Sequence, residues 1–208
     1  MGFDRLYAST WMFSGRQTLP YKLIGKMRDS LKRSIMKNEF LLSLSKEELI
    51  RLIEDYSKNW LAMDGVWFQS VERMRGMDEA MHHDAEAWRR FTVIEAKRIK
   101  AFLGLPERAG LEGLARALQC RFYANLNEAD IIMDAERKTL VYRTRECRVQ
   151  RARERKGMPF HPCKPVGEIE YAGFARTIDE RISCECISCF PDVTDPACCC
   201  AWRFSLND

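Results

Sequence analysis

Asn127 separates two hydrophobic periodicities in this chain, and any fold must bury both. On the N-terminal side the pattern is helical. Ser45 followed by Glu48 forms a capping box, in which each residue can satisfy the other's free backbone donor. Leu49, Ile50, Leu52, Ile53, Tyr56, Trp60, Val66, Trp67, Val71 and Met74 then recur at helical spacing as far as Gly76. Asp78 is expected to cap a second helix, with Met81, Ala85, Trp88 and Ile99 near one stripe before Gly104 and Pro106 end it. A third helix, rich in Ala, Leu and Arg, is expected over about 111–122. Trp60, Trp67, Phe68 and Trp88 read as core residues.

Past Asn127 the pattern becomes that of strands. Residues 129–133 and 139–147 flank a polar loop, 134–138, and read as a hairpin. A short basic helix over 148–156 ends at Gly157. Pro165 fits the first turn of a further helix reaching Ile178, with Val166, Ile169, Gly173 and Phe174 inward. Residues 182–187 and 199–206 supply the last two strands. The predicted fold is α+β: N-terminal helices packed against a mainly antiparallel four-stranded sheet, with two helices inserted between its hairpins. It occupies one domain over 36–208.

The net charge of +4 is unevenly placed. Residues 1–35 hold seven Lys or Arg against two Asp, a balance of +5, which leaves −1 for the rest. That segment reads as a flexible basic extension or translation from an upstream start, with a transit peptide as the alternative; the patterned chain begins near Met36. A nearly neutral body has no general attraction for a polyphosphate, which argues against nucleic acid. No run approaches the roughly 18 apolar residues of a membrane span. A cytoplasmic location with reduced thiols is therefore expected.

All nine cysteines lie between Cys120 and Cys200, and eight of them between Cys147 and Cys200. In a reducing compartment such density points to metal binding or thiol chemistry. Closing the last hairpin brings Cys186 and Cys189, at the end of one strand, close to Cys200 at the start of its partner. Cys163 or Cys184 completes a tetrad suited to zinc or iron, because soft thiolates favour such metals. Only one Cys-x-x-Cys is present, however, and cysteines packed as small hydrophobes explain the cluster equally well. Cys163 has its own claim to reactivity: it precedes a helix whose positive end favours thiolate, and His161 lies two residues away to relay a proton. It is expected to react ahead of buried thiols, among which Cys120 is counted.

Residues 143–157 carry seven Lys or Arg against two Glu. Arg148, Arg151 and Arg155 share a helical face that can bind a carboxylate or phosphate, with Gln150 as a neutral hydrogen-bond partner. A solvated helix surface is the plainer reading. Asp64, flanked by apolar residues, is placed as a pocket carboxylate. Glu72, Glu95, His82, His83 and Glu86 do not make the matched Glu-x-x-His sets of a di-metal bundle.

Several segments together resemble a known group: Asn59 to Gly65 with Trp67 and Phe68, Cys147 to Gln150, Pro162 to Gly167, Cys186 to Cys189, and Cys200 to Trp202. They are similar to a group of prokaryotic cytosolic proteins that resembles the L-2-amino-thiazoline-4-carboxylic acid hydrolases, over about residues 45–206. The resemblance implies a small α+β protein with a cysteine-bearing pocket; Cys198 and Cys199 look like additions to its pattern.

Three function classes follow. The first is a small-molecule hydrolase acting on a C–N bond of an amidine or amide, with Cys163 and His161 catalytic and Arg148, Gln150 and Asp64 binding substrate. The second is a non-catalytic metal- or small-ligand-binding, sensor-like protein using Cys163, Cys186, Cys189 and Cys200. The third, a thiol redox protein built on Cys186 and Cys189, lacks the βαβ setting of that motif. The expected partner is a small molecule, with no nucleic acid and no membrane; a homo-oligomer is compatible with each class.

Overall fold

The computed structural model describes residues 38–207, so the expected extension over 1–35 lies outside them. The described residues fall into two units, one ending at Leu49 and one beginning at Ile50. In the described part of the first, helix α1 (Glu39–Ser43) is capped by Asn38, whose side chain accepts the Leu41 N–H at 3.2 Å. Helix α2 (Lys46–Arg75) opens on the expected capping box. Ser45 N donates to Glu48 Oε2 at 2.8 Å, and Glu48 N donates to Ser45 Oγ at 3.1 Å.

Helix α3 (Met77–Leu103) begins directly after Gly76, whose φ of 90° fills the N-cap. Asp78 therefore lies inside the first turn, where its charge still favours the helix dipole, instead of capping it. Trp60 stacks on Phe91 with centroids 5.0 Å apart, and Trp88 lies against Tyr123 at 5.9 Å. Trp67 departs from expectation and is exposed. Neighbouring positions on a helix point about 100° apart, so with Phe68 directed inward Trp67 turns outward.

Helix α4 (Gly110–Leu118) is shorter than the periodicity suggested. Arg121 breaks it with extended backbone, and a 3₁₀ turn follows over Phe122–Asn125. The strands are β1 (Glu128–Asp134), β2 (Thr139–Glu146), β3 (Ile182–Cys189) and β4 (Cys200–Leu206), and they form one antiparallel sheet in the order β1-β2-β4-β3. Between β2 and β3 come α5 (Arg148–Arg155) and α6 (Lys164–Ile178). The fold is α+β, as the sequence predicts.

Helix α6 lies directly on the sheet. Tyr171 stacks on Trp202 at 4.7 Å, while Phe174 and Ile178 are buried in one core with Ile182 and Phe204. Helix α3 packs on α6, where Thr92 Oγ1 donates to Glu170 O at 2.9 Å. The close approach to the sheet depends on Gly167: a Cβ there would lie 2.5 Å from the Trp202 ring. Among the described residues no helix is long and apolar enough to cross a membrane.

One irregularity in the sheet positions the thiols. Cys186 pairs with Trp202, but Ser188 already pairs with Ala201 and Cys189 with Cys200, so the register shifts between Cys186 and Ser188. Side chains alternate along a regular strand, and Cys186 and Cys189, three apart, would face opposite sides. The bulge restores Cys189 to the helix-covered face opposite Cys200.

Candidate functional site: a cavity lined by thiols

Within the second unit a cavity of about 360 Å³ is walled by Phe68, Trp88, Tyr123, Val166, Tyr171 and Trp202. Cys147, Cys163, Cys189 and Cys200 line it together with Asp64, Asp84, Gln150 and His161. Cys163 is the N-cap of α6. Its Sγ lies 3.4 Å from Cys189 Sγ, and Gln150 Nε2 lies 3.5 Å away as a donor. The Cys163 thiol is held down to about 5, chiefly by the hydrogen bond from Cys189 and, against the cost of burial, by His161. Cys189 is shifted the other way, because it keeps its proton between two sulfurs, Cys163 and Cys200.

Cys200 is also lowered, first by Cys189 and, against burial, by the Thr144 hydroxyl and the Trp202 indole N–H. One Cys189 proton serves one sulfur at a time. Cys163 additionally has His161, Gln150 and the start of α6 beside it, so the anion is assigned to Cys163 and Cys200 remains the acceptor in reserve. Burial pushes the Cys147 thiol up to about 12, which makes it a wall of the cavity and not a nucleophile.

His161 is aligned from two directions. Its backbone is bound to Gln150, and its Nε2 lies 3.8 Å from Asp84 Oδ2 with both side chains largely buried. The ring packs edge-on against Phe68 at 4.7 Å. The other nitrogen, Nδ1, is buried without a hydrogen-bond partner among the described residues. Burial raises Asp84 to about 6, helped by the charge of Asp64 and opposed by His161. Asp64 is raised by burial as well, with His161 opposing.

A buried ion cluster lies beside the cavity. Arg121, 2% exposed, places Nε 2.9 Å from Glu95 Oε2 and Nη2 2.7 Å from Glu170 Oε1. Its guanidinium also lies 4.7 Å from the Phe174 ring centroid. Burial raises Glu170, itself a cavity residue, to about 7 against the pull of Arg121. On the opposite wall Arg153 is buried and bidentate to Glu72 at 2.8 and 2.9 Å. Its Nε donates to Pro159 O, which fixes the connector leading to His161.

The structure brings together Cys163, His161, Gln150, Asp64, Arg148, Cys189 and Cys200 around this cavity. It separates two expected companions. Cys186 lies two ladder pairs away, beside Lys164 and Glu168, and burial raises it to about 11. Among the described residues no group of three or more His, Cys, Asp or Glu side chains is disposed to hold a metal ion, so the expected set of Cys163, Cys186, Cys189 and Cys200 is not assembled. Arg151 turns to Glu146 and Glu154, leaving Arg148 and Arg155 at the cavity. Cys120, counted as buried, is exposed. Asp84, Glu170, Arg121 and Thr144 are site residues that sequence reasoning missed. Asp84 carried a usable signal, since it lies one turn before Trp88 on the inward stripe.

The fold and the site define a small α+β protein with a thiol-lined, half-buried pocket. The chain belongs to the family of unknown function DUF6125, whose family model matches residues 42–206. No curated protein and no solved structure matches it.

Proposed function

We propose that the protein is a small-molecule hydrolase that cleaves a C–N bond of an amide or amidine through a covalent Cys163 intermediate. The observation that carries this reading is the line Cys163, His161, Asp84 in one cavity, with the thiol at about 5. Such a nucleophile, base and orienting carboxylate recur in acyl transfer on unrelated folds. The resemblance to the thiazoline-carboxylate hydrolases is in keeping with it.

Cys163 thiolate attacks the acyl or imidoyl carbon, and the electron pair moves to its oxygen or nitrogen. Gln150 has two amide hydrogens; one is given to His161 O, and the one directed at Cys163 Sγ can stabilise that developing charge. Collapse breaks the C–N bond, and His161 supplies the proton to the departing amine. Water then attacks the thioester or thioimidate, His161 takes its proton, and Cys163 leaves as thiolate. Asp84 facing Nε2 leaves Nδ1 for the thiol and the leaving group. Arg148, exposed beside the cavity and without an ion pair among the described residues, suits an anionic substituent on the substrate.

The test is to incubate the protein with a panel of small amides, amidines and cyclic thioimidates and to follow turnover together with intact mass. An acyl or imidoyl adduct on Cys163, with turnover lost in Cys163→Ser and His161→Ala, supports the proposal. Turnover that survives Cys163→Ser would overturn it. The second reading, a small-ligand-binding protein of sensor type, is favoured by the enclosed aromatic walls, and tight binding of the same compounds without turnover would select it.

A further inference from the structure

We infer that Cys163, Cys189 and Cys200 form a thiol relay in which Cys163 reduces a hydroperoxide and Cys189 carries the oxidation inward to a Cys189–Cys200 disulfide. This chemistry is separate from C–N hydrolysis and stands or falls independently of it.

The argument rests on the order of the three sulfurs. Cys163 and Cys189 are 3.4 Å apart, so one bond forms with little movement. Cys189 and Cys200 are direct partners across β3 and β4, close enough for each thiol to shift the other's ionisation. Directly opposed residues of an antiparallel pair have Cα atoms about 4.5–5.5 Å apart, within the range that a disulfide spans. Cys189 is thus the only one of the three that can pair with either neighbour by contacts already present. It is 1% exposed, whereas Cys163 is half-buried at the cavity, so an oxidant from solvent meets Cys163 first. The β-bulge that turns Cys189 toward α6 is what makes the chain of sulfurs continuous. Buried Thr144 and Trp202 donors, which have no partner of good hydrogen-bond geometry, stand beside Cys200 to receive negative charge there.

Each step balances. Cys163 thiolate attacks one oxygen of the hydroperoxide; the O–O bond breaks, the alcohol or water leaves with the proton held by His161, and sulfur becomes the two-electron-oxidised sulfenic acid. Cys189 then attacks Cys163 Sγ, its proton joins the departing hydroxide as water, and a disulfide forms. Cys200 next attacks Cys189 Sγ; Cys163 leaves as thiolate and the Cys200 proton returns to His161. One hydroperoxide and two thiols give one alcohol, one water and the Cys189–Cys200 disulfide, with the nucleophile regenerated.

The experiment treats the reduced full chain with hydrogen peroxide, quenches with an alkylating agent over time, and maps disulfides by peptide mass spectrometry. In the parent protein the Cys163–Cys189 disulfide should appear first and give way to Cys189–Cys200, while Cys163 becomes alkylatable again. Cys200→Ser should stop at Cys163–Cys189. Cys189→Ser should give a Cys163 sulfenic acid captured by dimedone and no disulfide, and Cys163→Ser should slow peroxide consumption at least tenfold. Circular dichroism confirms that each variant is folded. The relay is overturned if Cys163 proceeds to sulfinic acid with Cys189 present, if exposed Cys120 oxidises as fast as Cys163, or if Cys189–Cys200 forms at the parent rate in Cys163→Ser.

Discussion

Gln150 holds the backbone of His161 from both sides: its Nε2 donates to the His161 carbonyl at 2.9 Å, and its Oε1 accepts the His161 N–H at 3.0 Å. The pair imitates a ladder rung between α5 and the irregular connector before α6. A connector that supplies both the cavity imidazole and, two residues later, the Cys163 sulfur has no helix or strand of its own to fix it. Gln150 provides that rigidity and still directs a donor at Cys163 Sγ.

Gln150→Ala should therefore act on both residues at once. Loss of two buried hydrogen bonds, at roughly 1 kcal/mol each plus the unpaired His161 groups, predicts destabilisation of about 2–4 kcal/mol by chemical denaturation. The alkylation pKa of Cys163 should rise as well. A variant that is less stable but keeps the parent pKa would show that Gln150 has no part in holding the thiolate.

Alkylation as a function of pH reads Cys163 directly. The thiolate fraction grows as pH passes the pKa, so the rate should climb around pH 5 and be flat by pH 7. Cys189→Ala removes the first cause of the shift and should move the Cys163 midpoint upward. An unchanged midpoint would assign the shift to His161 and α6 alone.

How much of this was legible in the chain differs between elements. Capping chemistry fixed the start of α2, and turn glycines marked the ends of α3 and α5, because those signals act within four residues. The four strands and the pairing of Cys189 with Cys200 also followed from local pattern and hairpin closure. The bulge at Ile187 did not, since nothing in Cys186-Ile187-Ser188-Cys189 specifies an extra residue; packing under α6 selects it. Arg121 falls within the helix expected over about 111–122, and the break after Leu118 turns it inward toward Glu95 and Glu170, partners 26 and 49 positions away. Charges whose partners are that remote leave no trace in periodicity.

Breaking the opposite wall should be costly. Arg153 is almost wholly buried against Glu72, and Arg153→Ala leaves that carboxylate without its partner. Loss of about 3 kcal/mol is expected in urea unfolding, whereas replacing Arg153 and Glu72 together by methionine should recover most of it. Equal losses in the single and double variants would mean that packing, not the charge pair, dominates there.

Gly167→Ala tests the contact between α6 and the sheet. The new methyl would fall 2.5 Å from Trp202 Cζ2, and neither the helix backbone nor the indole can yield without disturbing Tyr171, which stacks on it. A loss of about 1–3 kcal/mol is expected. The displaced indole should also alter the intrinsic fluorescence and slow reagent access to Cys163. Parent-like fluorescence with parent-like stability would contradict the close approach.

Asp84 offers the sharpest separation of stability from function. Its folded-state pKa is raised from an ordinary 3.8 to about 6, mainly by burial, so the folded chain holds a proton there that the unfolded chain has released. Where the folded state binds more protons, stability falls as pH rises. The penalty therefore begins near pH 4, grows to pH 6 and stays constant above it, at on the order of 2–3 kcal/mol. Asp84→Asn removes the titration and should make the protein more stable than the parent at pH 8 while the two converge near pH 4. Under the proposed hydrolase mechanism turnover should nevertheless drop by about 10- to 100-fold, because an amide facing Nε2 no longer orients the imidazole as the carboxylate does. Parent-level activity in this variant would remove Asp84 from the mechanism, and a stability curve parallel to the parent's would show that the carboxyl titrates normally.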